Sequence, residues 1–305
     1  MVYQHPLAYL LAVEGAALLQ AFAGEHDRDF TLARIAEVRA LLDAAPVWGD
    51  GVTLSSVPTP DGYRTWAETY DQPGNQLVDL EQPVVREIVR DLPVGVALDV
   101  ACGTGRHTRY LAELGHRVIG VDSAPAMLDR AAGNVPDAGF ARADLHRLPI
   151  PDHAVDVVVC ALALTHVPDL GAALTEFVRV LRPGGHLVVS DSRGLHGYIG
   201  APVPVRTSDG EPGVLPHWNR LTSDYLAAAL PLGLQVRRCV EPRRPTPLID
   251  PDTVPALEDL VADDPPNIWV LHTFCPAATN AAYRDNPAAI IWHFQLDRGT
   301  RATIR

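Results

Sequence analysis

Leu98-Asp99-Val100-Ala101-Cys102-Gly103-Thr104-Gly105, followed by Arg117-Val118-Ile119-Gly120-Val121-Asp122, decides the fold. The first stretch reads as an apolar strand that runs into a tight small-residue turn and then a helix. The second is another apolar strand, and it ends on an acid. That order builds a nucleotide site. Small residues let backbone N–H groups approach a ligand, and the helix N-terminus offers positive potential. Asp122 stands where a carboxylate accepts hydrogen bonds from a ribose diol.

Working outward, strand and helix patterns alternate from about residue 94. Strands are expected at 96–101, 117–121, 139–143, 155–161, 186–191, 234–240 and 289–294, and helices at 106–115, 124–133, 170–181 and 222–230. Leu181-Arg182-Pro183-Gly184-Gly185 reads as a helix stop and turn. Upstream, Leu7, Leu10, Leu11, Leu18 and Phe22, then Leu32, Ile35, Val38 and Leu41, recur at helical spacing. A break at Gly24–Asp29 divides them into two helices, the second capped by Asp29 or Thr31. Pro46 to Gly62 reads as a linker, and Tyr63, Trp66 and Tyr70 follow at helical spacing. Two long Pro-rich connections, at 192–220 and 242–287, read as lids. The second holds Trp269, His272, Phe274 and Tyr283.

Composition excludes several classes. Of 305 residues 47% are apolar, enough for a full core, and the formal charge of −12 argues against a nucleic-acid partner. The four cysteines, at 102, 160, 239 and 275, form no C-x-x-C pair. Neither a zinc site nor a disulfide framework is expected, and reduced thiols fit a cytoplasmic location. Leu7–Phe22 lacks a basic flank and is interrupted by Glu14 and Gln20, so it reads as an amphipathic helix, not a signal or membrane span.

The glycine turn does not fit a dinucleotide fingerprint, because Thr108 occupies the third glycine position. Four segments instead resemble the class I S-adenosylmethionine (SAM) methyltransferase family. They are Asp99–Gly105, Gly120–Leu128, Ala143-Asp144-Leu145 with Leu148–Pro151 and Val155–Cys160, and Val180–Leu187. The resemblance spans 63–192. It implies a Rossmann-like, doubly wound α/β fold with a seven-stranded, mostly parallel sheet whose last strand is antiparallel. An N-terminal helical extension and linker (1–60) precedes the methyltransferase domain with its lid insertions (61–305).

The resemblance also implies roles. Ala101, Gly103 and Gly105 keep the turn narrow beside the methionine part of SAM, and Asp99 lies near its amino group. Asp122 holds the ribose hydroxyls, while Ser123 and Met127 flank the adenine; Met127 as ordinary core is an equal reading. Asp144 and the Leu145 backbone read the adenine edge. Cys160 and Ala161 line the methionine tail, and Tyr70 covers the entrance, against the equal alternative of a hydrophobic anchor for its helix. Methyl transfer needs an aligned nucleophile and a base. Histidine titrates in the right range. His166, after the fourth strand, is the first candidate, against the alternative of a helix-capping or packing histidine. His217, beside Trp218, is the second. His293 reads as a sheet residue and His107 as a cofactor-holding one. The end of the fourth strand, Cys160-Ala161-Leu162-Ala163, lacks the acids of a metal-assisted mechanism, so no metal is expected.

The expected activity is methyl transfer from SAM to a small organic acceptor through an O-, N- or C-nucleophile, in a natural-product setting, with no membrane partner. Two alternatives stay open: a SAM-binding enzyme of the same fold that catalyses a cyclisation or rearrangement, and a non-catalytic SAM-binding or scaffold subunit. A homodimer through the N-terminal helices also stays open.

Overall fold

The computed structural model describes all residues except 68–69, 73–74, 194–202, 208, 246, 251, 253–267 and 299–305, together with the Trp269 side chain. In chain order its first elements are β1 (Val2–Gln4), α1 (Pro6–Phe22), α2 (Arg28–Asp43), β2 (Val52–Ser56), α3 (Thr59–Trp66) and α4 (Gln76–Arg90). The alternating section follows: β3 (Val96–Val100), α5 (Arg106–Glu113), β4 (Arg117–Asp122), α6 (Pro125–Asn134), β5 (Gly139–Arg142), β6 (Val155–Ala161), α7 (Leu170–Val180) and β7 (Leu181–Ser192). The chain continues with β8 (Val203–Arg206), β9 (Pro212–Leu215), α8 (Thr222–Ala229), β10 (Leu234–Val240), α9 (Ile268–His272), α10 (Pro276–Tyr283) and β11 (Ala289–Leu296).

The chain divides into two compact units: Met1–Ser56 with 210–214 and 243–286, and Val57–Asp209 with 215–242 and 287–305. In the first, α1 packs against α2 and α10, and β2 pairs antiparallel with β1 and parallel with β9. Tyr9 of α1 joins His272 at 2.6 Å and Tyr283 at 3.2 Å, and Arg34 of α2 bonds the fully buried Glu14 at 3.0 Å. Asp27, and neither Asp29 nor Thr31, caps α2. Its Oδ1 accepts from Phe30 N at 2.8 Å, and the helix starts one residue later. The expected linker is not featureless either, since it holds β2 and the start of α3. Of the expected lids, the described part of 242–287 contributes α9 and α10, and much of the remainder, with the Trp269 side chain, lies outside the described residues.

The second unit holds the seven-stranded sheet, in the order β10-β11-β7-β6-β3-β4-β5. β3 to β7 run parallel, and β11 pairs antiparallel with both neighbours. This is the doubly wound architecture expected from the strand–helix alternation. The central strands are buried on both faces, hence their near-continuous Val and Leu runs. Leu98, Val100, Val158, Cys160 and Leu187 face a core with Phe177 of α7 and Tyr225 of α8. Ala97, Val157, Val159 and Val188 face one with Val85, Ile88 and Val89 of α4. Helix α4 had no counterpart in the sequence reading, because Pro83 sits inside it.

The Leu181–Gly185 turn exists, but as a bulge within β7. Leu181 pairs with Val155, and pairing resumes only at His186 with Val157. Gly184, at φ +83°, makes the excursion possible. A Cβ on Gly185 would stand 2.8 Å from Arg182 O and 3.0 Å from Asp156 O, so no larger residue fits.

Candidate active site

From β3 the strand order runs outward through β4 and β5 on one side and β6 and β7 on the other. The crevice at such a switch point is where open α/β sheets take ligands. Here it is a cleft of about 390 Å³ within the second unit, at the carboxyl ends of β3, β4 and β6. Tyr70, Ala101, Gly103, Asp122, Ser123, Asp144, Leu145, Ala161 and His166 all line it. Four of the residues expected to hold the cofactor do not line the cleft itself, and neither does His217. Met127 is 1% exposed and packs with Ala67 and Ala124. Cys160 is buried under the sheet's end, and Gly105 caps α5 with φ +87°. Asp99 lines a smaller recess, which shares Tyr70, Ala101, Gly103 and Ala161 with the cleft.

Backbone geometry shapes the walls. Ala101, at the end of β3, has φ +55°, and Leu162, at the end of β6, has φ +56°. Each is a non-glycine residue in the left-handed region, costing about 1 kcal/mol or more. Both line the cleft. A Cβ added at Gly103 would find only Tyr70 Cε1, at 4.0 Å, so the backbone there borders open space and any side chain would project into it.

The acids are held in place. Asp122 Oδ2 accepts from Gly103 N and Oδ1 from Ala124 N, both at 2.9 Å. Burial raises its pKa against these backbone bonds. Asp144 Oδ1 accepts from His146 N at 2.8 Å and from His146 Nδ1 at 2.7 Å, and the first of these holds its carboxyl below the usual range. Asp99, 2% exposed, accepts from Thr108 Oγ1 at 2.6 Å, and burial pushes its pKa up.

Beside the recess lies a buried network without an obvious sequence signal. Glu81, fully buried on α4, accepts from Arg106 at 2.7 Å and from Ser190 Oγ at 2.7 Å, and His107 Nε2 lies 3.2 Å away. Burial would raise the Glu81 pKa, but His107, Arg106 and the Ser190 hydroxyl together hold it at about 2. The carboxylate is ionised and fixes Arg106 and His107, both of which line the recess.

The two candidate bases are placed differently. His166 lies in the Leu164–His166 turn, lines the cleft, and packs edge-on against Tyr63 with ring centroids 5.7 Å apart. Its Nδ1 lies 2.8 Å from Pro216 O. A carbonyl only accepts, so Nδ1 carries the proton and Nε2 keeps a lone pair. Burial lowers its pKa. The ring is therefore a neutral base at pH 7 with a fixed tautomer. His217 is instead tied to Thr165 Oγ1 at 2.9 Å, outside the cleft lining. Asp191, at the end of β7, accepts from Tyr225 OH at 2.5 Å, and burial pushes its pKa up to about 6.

Part of the chain is similar to known proteins. A methyltransferase-domain family model matches residues 98–189. A malonyl-[acyl-carrier protein] O-methyltransferase of Yersinia pestis is 38% identical over 130 residues, covering 43% of this chain and 46% of the relative. A demethylmenaquinone methyltransferase of Beutenbergia cavernae is 38% identical over 94 residues, covering 31% and 39%. The chain thus spans less than half the length of these relatives. An S-adenosylmethionine-dependent methyltransferase structure from Mesorhizobium loti superposes with TM-score 0.50 at 24% identity, over 71% of this chain and 97% of that one. Residues 98–189 thus match a methyltransferase-domain family model, and the sheet and helices around them have the class I methyltransferase fold.

Proposed function

We propose that the protein transfers a methyl group from S-adenosylmethionine to a small-molecule acceptor. The observation that carries the reading is the cleft itself. Asp122 is pinned to the glycine turn by Gly103 N at 2.9 Å, beside a stretch of open backbone that faces a 390 Å³ space. That volume lies in the range of small-molecule sites, about 300–1,000 Å³. Each Asp122 oxygen takes one backbone bond and has a second acceptor direction left for a ribose hydroxyl. The residues present therefore fit the cofactor.

In this reading Asp122 holds the ribose, and Asp144, Ser123 and the Leu145 backbone hold the base. The recess with Arg106, His107 and Asp99 takes the amino-acid end. When bound, the cofactor supplies an electrophilic methyl group on a sulfonium. His166, neutral with Nε2 free of a proton, accepts the proton of the acceptor's hydroxyl or amine, a contribution of about 10²–10⁴-fold. Tyr63, Tyr70, Leu162, Val167 and Pro168 shed water from the reacting groups. The relatives' names, with carrier-bound malonyl and quinone-type acceptors, support a small or carrier-borne acceptor. Secondary metabolism is the setting proposed.

Calorimetry with SAM and S-adenosylhomocysteine tests the first half, and absence of binding by the wild-type protein overturns it. Asp122→Ala removes two charge-assisted bonds to a diol, each worth about 1.5–3 kcal/mol, so affinity drops about 100-fold or more. An unchanged affinity removes the ribose assignment. Production of S-adenosylhomocysteine on turnover, with a methylated acceptor by mass spectrometry, separates methyl transfer from a rearrangement.

A further inference from the structure

The glycine turn is held from two sides by one residue. Thr104 is 2% exposed, and its carbonyl accepts from Asn134 Nδ2 of α6 at 2.9 Å. Its hydroxyl donates to Asp71 Oδ1 at 2.7 Å. Asp71 is itself exposed, so no apolar burial accounts for its place. The next residue back, Tyr70, lines both the cleft and the recess, and its ring edge is the nearest group to the open side of Gly103. The Tyr70 ring also packs on Tyr63, with centroids 6.1 Å apart. Among the described residues, the Asp71–Thr104 bond is the hydrogen bond that ties the 70–72 stretch to the glycine turn.

We propose that the Asp71–Thr104 hydrogen bond is a latch that holds Tyr70 across the cleft and sets how fast the bound cofactor leaves. The proposal rests on reading the cleft as a SAM site. Asp71 is a positioning residue that acts through Tyr70. A hydroxyl donating to a carboxylate makes a strong, short bond. The latch needs only an acceptor at position 71 and a donor at 104, so its chemistry predicts which replacements it tolerates. It joins the glycine turn, which touches the cofactor, to the aromatic that covers it. Release of the ligand then requires that one bond to open.

S-adenosylhomocysteine is the probe, with dissociation followed by stopped-flow tryptophan fluorescence; Trp66 packs edge-on against the cleft residue Tyr63 and serves as reporter. Asp71→Ala and Thr104→Val are each expected to raise the dissociation rate about tenfold with little change in association. The double variant is expected to match the singles, because both remove the same bond. Asp71→Asn keeps an acceptor oxygen and should stay within twofold of wild type. Tyr70→Ala should release the ligand as fast as Asp71→Ala and be insensitive to adding that change. A melting temperature of Asp71→Ala without ligand close to that of wild type separates the latch from damage to the fold. If wild type binds the probe and Asp71→Ala dissociates within twofold of it, the latch is refuted. Rates that multiply in the double variant refute it as well. Failure of wild type to bind the probe overturns the cofactor reading itself.

Discussion

Glu81→Gln gives the sharpest test of how the site is supported. Glu81 is fully buried, yet Arg106, His107 and Ser190 hold its carboxyl at about 2 in place of the ordinary 4.5. A tenfold change in proton affinity corresponds to 1.36 kcal/mol. The ionised form therefore contributes about 3 kcal/mol of stability at neutral pH. Because the folded pKa lies below the unfolded one, this stability is present above pH 4.5 and is lost as pH falls towards 2. Roughly half is gone by about pH 3. Removing the charge also leaves Arg106 and His107 facing a neutral amide, which reinforces the loss. Urea unfolding of wild type and Glu81→Gln across pH 7 to 3 reads the difference. It should be about 3 kcal/mol at pH 7 and roughly half that at about pH 3. A difference under about 1 kcal/mol at pH 7, or one that does not shrink on acidification, refutes the argument.

Two further predictions follow from geometry already described. Side-chain ¹⁵N spectra of His166 should show the neutral Nδ1–H tautomer at pH 7 and a titration midpoint below 6.5, since burial lowers it and Pro216 O takes the Nδ1 proton. An Nε2–H tautomer, or a midpoint above 6.5, removes it as the base. Gly105→Ala forces φ +87° on an L side chain, with its Cβ 3.4 Å from Ala131 and Val135. It should cost about 1–2 kcal/mol and lower the melting temperature by roughly 3–6 °C. A variant that melts at or above wild type overturns that reading.

Much of this was legible from residues 96–192, because buried parallel strands need unbroken apolar runs and the turns between them need small residues. Asp122 and Ala161 were legible because their places follow from where a strand must end. Helix α4 was hidden by Pro83, although Asn75, whose Oδ1 accepts from Leu77 N and Val78 N, marks its start. The Glu81 network was not legible at all. Its partners lie 25, 26 and 109 residues away in sequence, and only the packing of α4 under the sheet brings them together. His166 and His217 illustrate the same limit. Both follow a strand or stand beside an aromatic, yet which ring meets the cleft depends on the backbone of Pro216. Strands β1, β2, β8 and β9 are too short for alternation to register.

The paired left-handed turns at Ala101 and Leu162 have a consequence for how this site changes over time. They turn the main chain at the ends of two neighbouring strands, so at these two points the cleft wall is fixed by backbone torsion as well as by side chains. An exposed wall residue such as Pro168 can then be exchanged without altering that frame. On the proposed function, acceptor preference and the scaffold are separable traits: the first drifts at the rim while the second is inherited with the strand ends.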